Sequence, residues 1–145
     1  MKVSNNIREM KSDEIDIILD IWLKANITSQ PLIDENFWYR SIEKIKTQIV
    51  KEKVYIYELN EVIVGIIVLS GNYINYLCVK DKYKRQGIGK ALIKHCKNNF
   101  WSLILKVYNE NTTAIEFLKS QYFFVRDKMN NAETNQCELS MEWIR

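Results

Sequence analysis

Residues 72–99 read Asn-Tyr-Ile-Asn-Tyr-Leu-Cys-Val-Lys-Asp-Lys-Tyr-Lys-Arg-Gln-Gly-Ile-Gly-Lys-Ala-Leu-Ile-Lys-His-Cys-Lys-Asn-Asn. The β-branched and aromatic residues Tyr73, Ile74, Tyr76, Leu77 and Val79 predict a strand over about 72–80. A basic turn at 80–86 follows. From Gly87 the apolar residues Ile88, Ala91, Leu92 and Cys96 recur at helical spacing, while Lys90, Lys94 and Lys97 fall on the wet face. Gly87 and Gly89 stand where strand gives way to helix. Without side chains there, backbone N–H groups can face outward and a bulky anion can come close. The helix dipole and the cations Lys82, Lys84, Arg85 and Lys90 add to the attraction. The stretch is a cradle for a pyrophosphate.

Two common phosphate motifs do not fit. A P-loop requires Gly-x-x-x-x-Gly-Lys-Ser/Thr; Gly89-Lys90 matches, but Lys84 stands for the first glycine and Ala91 for the magnesium-holding hydroxyl. A dinucleotide fingerprint needs a third glycine where Leu92 stands. The run Lys84-Arg85-Gln86-Gly87-Ile88-Gly89 instead resembles the Arg/Gln-x-x-Gly-x-Gly/Ala turn of the GNAT superfamily of N-acetyltransferases, with Lys in the first place. In that family the turn holds the pyrophosphate of acetyl-CoA.

The remaining chain gives an order. A short strand is expected at 4–9, then a helix capped by Ser12 and carrying Ile15, Ile18, Leu19, Trp22 and Leu23. Pro31 marks a break, and a second helix runs from about Asp34 to Lys51. Strands at 53–59 and 62–70 meet through Asn60-Glu61 as a tight hairpin. After the central stretch come a strand at 102–108 and a helix through Ala114, Ile115, Phe117 and Leu118. An antiparallel pair at 122–128 and 136–143 closes around Asn130-Asn131. The order is β-α-α-β-β-β-α-β-α-β-β, which is also the GNAT order.

A second segment carries the resemblance. Residues 107–123 are similar to the family's Asn-x-x-Ala-x-x-Phe-Tyr-x-x-x-Gly-Phe block at Asn111, Ala114, Phe117 and Phe123, and Ile7–Asp13 is similar to its usual opening. The likeness spans essentially the whole chain. It implies an α/β (α+β) fold, one domain over 1–145, with a mixed sheet of six to seven strands flanked by four helices. It is nearest to short stand-alone bacterial enzymes, some of which acetylate protein amines.

Composition bounds the partners. At 145 residues, with 47% hydrophobic and 27% charged residues, the chain suits one soluble domain with a single core. No apolar run reaches membrane-spanning length and the opening residues lack a signal-peptide core, so no membrane partner is expected. The three cysteines Cys78, Cys96 and Cys137 are odd in number and far apart. They predict neither a disulfide framework nor a metal site, and a reducing cytoplasm is the expected compartment. Residues 80–97 carry seven cations against Asp81, whereas residues 9–35 carry seven carboxylates against two lysines. So compact a basic cluster suits a CoA phosphate better than nucleic acid, which is not an expected partner.

The resemblance assigns the parts of an amine acetylation. Lys84, Arg85, Gln86, Gly87, Ile88, Gly89 and Lys90 would hold acetyl-CoA, with Asn111, Ala114 and Phe117 beside them. The backbone of Leu77, Cys78 and Val79 would pair with the pantetheine arm, and an N–H near Leu77–Cys78 would stabilise the developing oxyanion. The family's carboxylate on the fourth strand is missing. Glu58 and Glu110 are the nearest candidates, each reading first as an ordinary surface carboxylate, and a water chain to solvent serves equally well. The family tyrosine that protonates the CoA sulfur is here Leu118, and Tyr122 replaces the usual glycine. Tyr108 or Tyr122 could supply that proton, water could replace it, or the domain could bind acyl-CoA without turnover. Cys78, His95, Trp22, Phe37 and Trp38 read first as packing residues. The expected partners are acetyl-CoA and an amine acceptor, protein or small molecule, with the protein a monomer or homodimer.

Overall fold

The computed structural model describes residues 6–145. Eleven elements follow the expected order. They are β1 (Ile7–Glu9), α1 (Ile15–Ser29), α2 (Glu35–Ile49), β2 (Lys53–Leu59), β3 (Val62–Ser70), β4 (Tyr73–Val79), α3 (Ile88–Lys97), β5 (Ser102–Tyr108), α4 (Thr112–Ser120), β6 (Phe124–Asn131) and β7 (Gln136–Ile144). The seven strands form one sheet in the order β1-β2-β3-β4-β5-β7-β6. The pair β4–β5 is parallel, because α3 carries the chain back across the sheet between them.

Each face of the sheet carries its own apolar core. On one side α1 and α2 bury Ile18, Trp22, Trp38 and Ile49 against Ile56, Ile66 and Val68. On the other, Leu92, Ile93 and Cys96 of α3 and Leu118 of α4 pack on Val64, Ile67, Leu103 and Met141. The central strands are buried on both faces, which is why β3 reads as the unbroken run Ile-Val-Gly-Ile-Ile-Val-Leu. Trp22 meets Trp38 and Tyr76 edge-on, at ring separations of 5.8 and 6.0 Å. These aromatics are core, as are the buried residues Cys78 and Cys96. His95 lies half-buried against Tyr55 with ring centroids 4.5 Å apart.

Several local expectations are corrected. Ser12 does not cap α1; it opens a 3-10 turn, Ser12–Glu14, in which the Glu14 carboxylate accepts the Lys11 backbone N–H at 2.8 Å. The same carboxylate takes two hydrogen bonds from Arg8, so its fork-shaped partner fixes it there. The second helix is trimmed to Glu35–Ile49, with Asp34 as its cap: the Asp34 carboxylate accepts the Asn36 N–H. The last turn is not at Asn130-Asn131, which lie within β6. It falls at residues 132–135, where the Asn131 side-chain oxygen accepts the Glu133 and Thr134 N–H groups and Asn135 takes a positive φ. The hairpin at Asn60-Glu61 forms as expected, both residues having positive φ. Of the strand expected at 4–9, residues 4 and 5 lie outside the described residues.

Candidate functional site

The sheet is split where β4 and β5 should continue side by side. Their pairing covers Tyr73–Ile104 and Ile74–Leu105, with the Ile104 N–H donated to the Asn72 carbonyl at 3.1 Å. Beyond Ile74 the two strands part, although β4 keeps its ladder to β3 and β5 keeps its ladder to β7. A bulge marks the parting point. Leu69 opposes Ile74 and Val68 opposes Tyr76, so Asn75 stands unmatched. A bulge bends a strand and switches its faces. Accordingly Ile74 packs under α3 while Tyr76, two residues on, packs against Trp22 on the other face. Leu77 and Val79 then return to the α3 side and Cys78 faces α1 and α2. The β4 edge at Leu77–Val79 therefore has free backbone groups toward the split.

Beyond β4 the chain makes a 3-10 turn, Asp81–Tyr83, and enters α3 through two left-handed residues, Arg85 (φ 65°) and Gly87 (φ 82°). The two motif glycines act differently. A Cβ on Gly87 would meet nothing within 4 Å, so this glycine is required by its backbone angle and leaves open space above the helix end. A Cβ on Gly89 would lie 3.3 Å from the Phe117 ring, so this glycine lets α4 approach α3. The first N–H groups of α3 have no intrahelical acceptor. Around them Arg85, Gln86, Gly87 and Lys90 are exposed. Lys84 is held by Asp81 at 2.9 Å, whereas Lys82, Arg85 and Lys90 make no ion pair among the described residues. These features fit a pyrophosphate.

On the opposite face of the split lies a pocket of about 280 Å3, lined by residues 29–33 after α1, by Tyr108 and Glu110 at the end of β5, and by Gln136. Burial raises the Tyr108 phenol above its ordinary pKa, so it stays protonated well above neutrality. The Thr134 hydroxyl beside it is buried and has no hydrogen-bond partner of ordinary geometry. A second depression, about 510 Å3, lies along α1 and is lined by Glu14, Asp16, Asp20, Glu58, Glu61 and Lys80. Glu58 is tied there to Arg8 at 3.2 Å and does not reach the first pocket, which Glu110 does line.

The residues expected for the site thus divide. Lys84–Lys90, the Leu77–Val79 edge and Tyr108 gather around the split. Asn111 caps α4, its side-chain oxygen accepting the Ala114 N–H at 3.2 Å, and Phe117 sits against Gly89. Leu118 is in the core, 3% exposed. Tyr122 does not join the site: it is 79% exposed beside Lys97, at the far end of α3 from Gly87. Cys78 is buried, and its thiol is pushed up to about 12, which leaves it a packing residue. Sequence reasoning missed Gln30 and Gln136, polar residues whose pocket positions depend on tertiary structure. No cluster of metal-ligating side chains occurs among the described residues, and no helix there is long and apolar enough to cross a membrane.

Comparison with known proteins agrees with this geometry. Residues 18–131 match the model of the acetyltransferase (GNAT) domain. The chain is 29% identical over 139 residues to the peptidyl-lysine N-acetyltransferase YiaC of Escherichia coli, covering 94% of this chain and 95% of the relative. It is 26% identical over 123 residues to the peptidyl-lysine N-acetyltransferase YjaB of Salmonella typhimurium, with 83% of each covered. The solution structure of apo YjaB from Escherichia coli superposes with a TM-score of 0.83 at 17% identity, covering 94% of this chain and 95% of that one. These relatives favour group transfer over the binding-only alternative.

Proposed function

The chain belongs to the GNAT family of acetyltransferases, and from that premise we propose that it moves the acetyl group of acetyl-CoA directly to the ε-amine of a lysine in a protein. The observation that carries this reading is the split between β4 and β5. It has an anion cradle on one face, a pocket with a carboxylate and a protonated phenol on the other, and free strand edge between. The names of the two curated relatives support lysine as the acceptor.

In this reading the backbone N–H groups at Gly87–Lys90, with Lys82, Arg85 and Lys90, hold the pyrophosphate, and the Leu77–Val79 edge pairs with the pantetheine arm. When bound, acetyl-CoA supplies an activated acyl group as a thioester. The acceptor is a cation in water, with a pKa of about 10.4, and must lose a proton before it can attack. Glu110 lines the pocket and takes that proton, directly or through water. The C–N bond forms as the C–S bond breaks, the nitrogen loses its second proton to solvent, and the sulfur takes one, so the products are an amide, a free thiol and one proton with no redox change.

Leu118 has no proton to give. Tyr108 lines the pocket, keeps its proton, and is the group we assign to donate toward the departing sulfur. Its raised pKa makes it a weak acid, so its contribution should sit near the low end of the ~10²–10⁴-fold range for such groups. The test is thiol release from acetyl-CoA with a panel of amines. Release that depends on a lysine peptide supports the reading. Silence with every amine, on protein shown by calorimetry to bind acetyl-CoA, would overturn it.

A further inference from the structure

The pocket at the end of β5 is lined by five polar side chains, Ser29, Gln30, Tyr108, Glu110 and Gln136; Tyr108 meets the Thr134 hydroxyl, and among the described residues Gln30, Glu110 and Gln136 make no side-chain hydrogen bond. Gln30 stands apart because it is only 9% exposed. Its amide N and O are nevertheless not among the polar atoms sealed from solvent, so the carboxamide is open to a ligand that enters the pocket. Its backbone is held firmly. The Gln30 N–H is donated to the Asn26 carbonyl at 3.0 Å, the Gln30 carbonyl accepts the Ile33 N–H at 3.1 Å, and Pro31 ends the helix. The helix end that carries the amide is therefore fixed.

The lining limits what can enter. Glu110 is its one carboxylate, and no cation is present, so an ammonium is matched and an anionic group is not. A volume of about 280 Å3 lies at the bottom of the ~300–1,000 Å3 range of drug-sized ligand sites, which favours one slender arm over a multi-ring amine. Depth also sorts the roles. Glu110 is exposed at the mouth, Tyr108 is half-buried, and Gln30 is buried.

We propose that Gln30 is the acceptor-positioning residue: its side-chain oxygen receives an N–H of a slender primary amine, such as a lysine side chain, and holds it in the neutral form that attacks. A carboxylate at this place would stabilise the ammonium and oppose the reaction. A neutral amide oxygen orients the nitrogen without that penalty. The titratable groups facing the amine are Glu110 and Tyr108, both from the β5 end. The inference rests on the acetyltransferase reading above.

Two variants test it, with Nα-acetyl-lysine methylamide as the probe amine and pH varied from about 8 to 11.5, across the amine's own pKa of about 10.4. Gln30→Leu should raise the amine KM about tenfold, the loss of one hydrogen bond, with little change in kcat and no shift of the pH profile. Gln30→Glu should move the basic limb up by roughly one pH unit, because an added carboxylate holds the proton on the amine. A merely structural role for Gln30 would not move that limb. Superimposable pH profiles for Gln30→Glu and wild type, or an amine KM within twofold for Gln30→Leu, would overturn the assignment. If no amine is acetylated at all, the transferase reading fails. Calorimetric binding of the probe to CoA-loaded wild type and Gln30→Leu then still decides on Gln30: weaker binding by the variant upholds its contact, and equal or absent binding removes it.

Discussion

Gly65 lies on β3 beneath the first turn of α3, and replacing it with alanine should disturb the cradle from below. A Cβ there would stand 2.8 Å from Ile88 Cγ2, 3.4 Å from Leu92 Cδ1 and 3.5 Å from the Cys78 carbonyl oxygen. Carbon atoms pack at about 3.5–4.0 Å, so Ile88 or the strand must yield by roughly 1 Å. Overpacking of this kind costs ~1–3 kcal/mol, offset by the ~0.5–1 kcal/mol that alanine gains over glycine inside a strand. The net expectation is a loss of about 1 kcal/mol, or about 2–4 °C in Tm for a chain of this size. Ile88 separates the two motif glycines, so the displacement passes to the N–H groups that face the anion. The KM for acetyl-CoA should therefore rise about tenfold, below the ~10² that a 1 Å misplacement can cost. Gly71→Ala is the control. Gly71 has φ 58° and open space around it, in the β3–β4 turn ahead of β4, whereas the cradle follows the end of that strand. Its alanine variant should lose a similar ~1 kcal/mol from backbone strain while leaving the acetyl-CoA KM alone. Urea unfolding and steady-state kinetics on both variants give the comparison. Equal KM values, or a Gly65→Ala protein more stable than wild type, would refute the reasoning.

Other consequences follow from single side chains. Tyr108→Phe should lower kcat by about 10²-fold with a small change in either KM, whereas Tyr122→Phe should leave kcat in place because that phenol lies at the far end of α3; kinetics on the pair checks both. The Arg8 hydrogen bonds hold the Glu14 carboxyl down at about 2, from 4.5. A folded pKa below the unfolded one gives stability that is present above about 4.5 and lost as pH falls toward about 2. Arg8→Met should flatten that acid limb in a series of urea titrations. Burial pushes the Cys78 and Cys96 thiols up to about 12, while Cys137 is half-buried. An aromatic disulfide reagent should therefore label Cys137 first on the native protein, with the other two reacting only on unfolding.

The order of elements was legible because each announces itself locally. The aromatic and β-branched run before Lys80, the glycines opening α3 and the apolar periods of α1 and α2 are all sequence signals. What was not legible depends on neighbours distant in the chain. Asn75 looks like any strand residue, and its unmatched position exists only in its register with Val68 and Leu69. The last turn shifted because Asn131 could act as an acceptor from the end of a strand as readily as from within a turn. Ser12 was a plausible cap, but Glu14 had a stronger claim once Arg8 of β1 fixed it. Gly89 suited an approaching ligand in sequence, yet its Cβ position faces Phe117. Gln30 gave only a faint signal, a polar residue just before the proline that stops α1. Its place in one pocket with Tyr108 of β5 and Gln136 of β7 is set by residues far along the chain.

Transfer to a lysine ε-amine is the reaction proposed for this chain. Its most direct measurement is mass spectrometry of an N-terminally blocked peptide with one lysine, incubated with the protein and acetyl-CoA. The predicted result is one added acetyl group, located by fragmentation on the lysine side chain and absent when either protein or acetyl-CoA is omitted. An unmodified peptide, from protein shown in the same sample to bind acetyl-CoA, would contradict it.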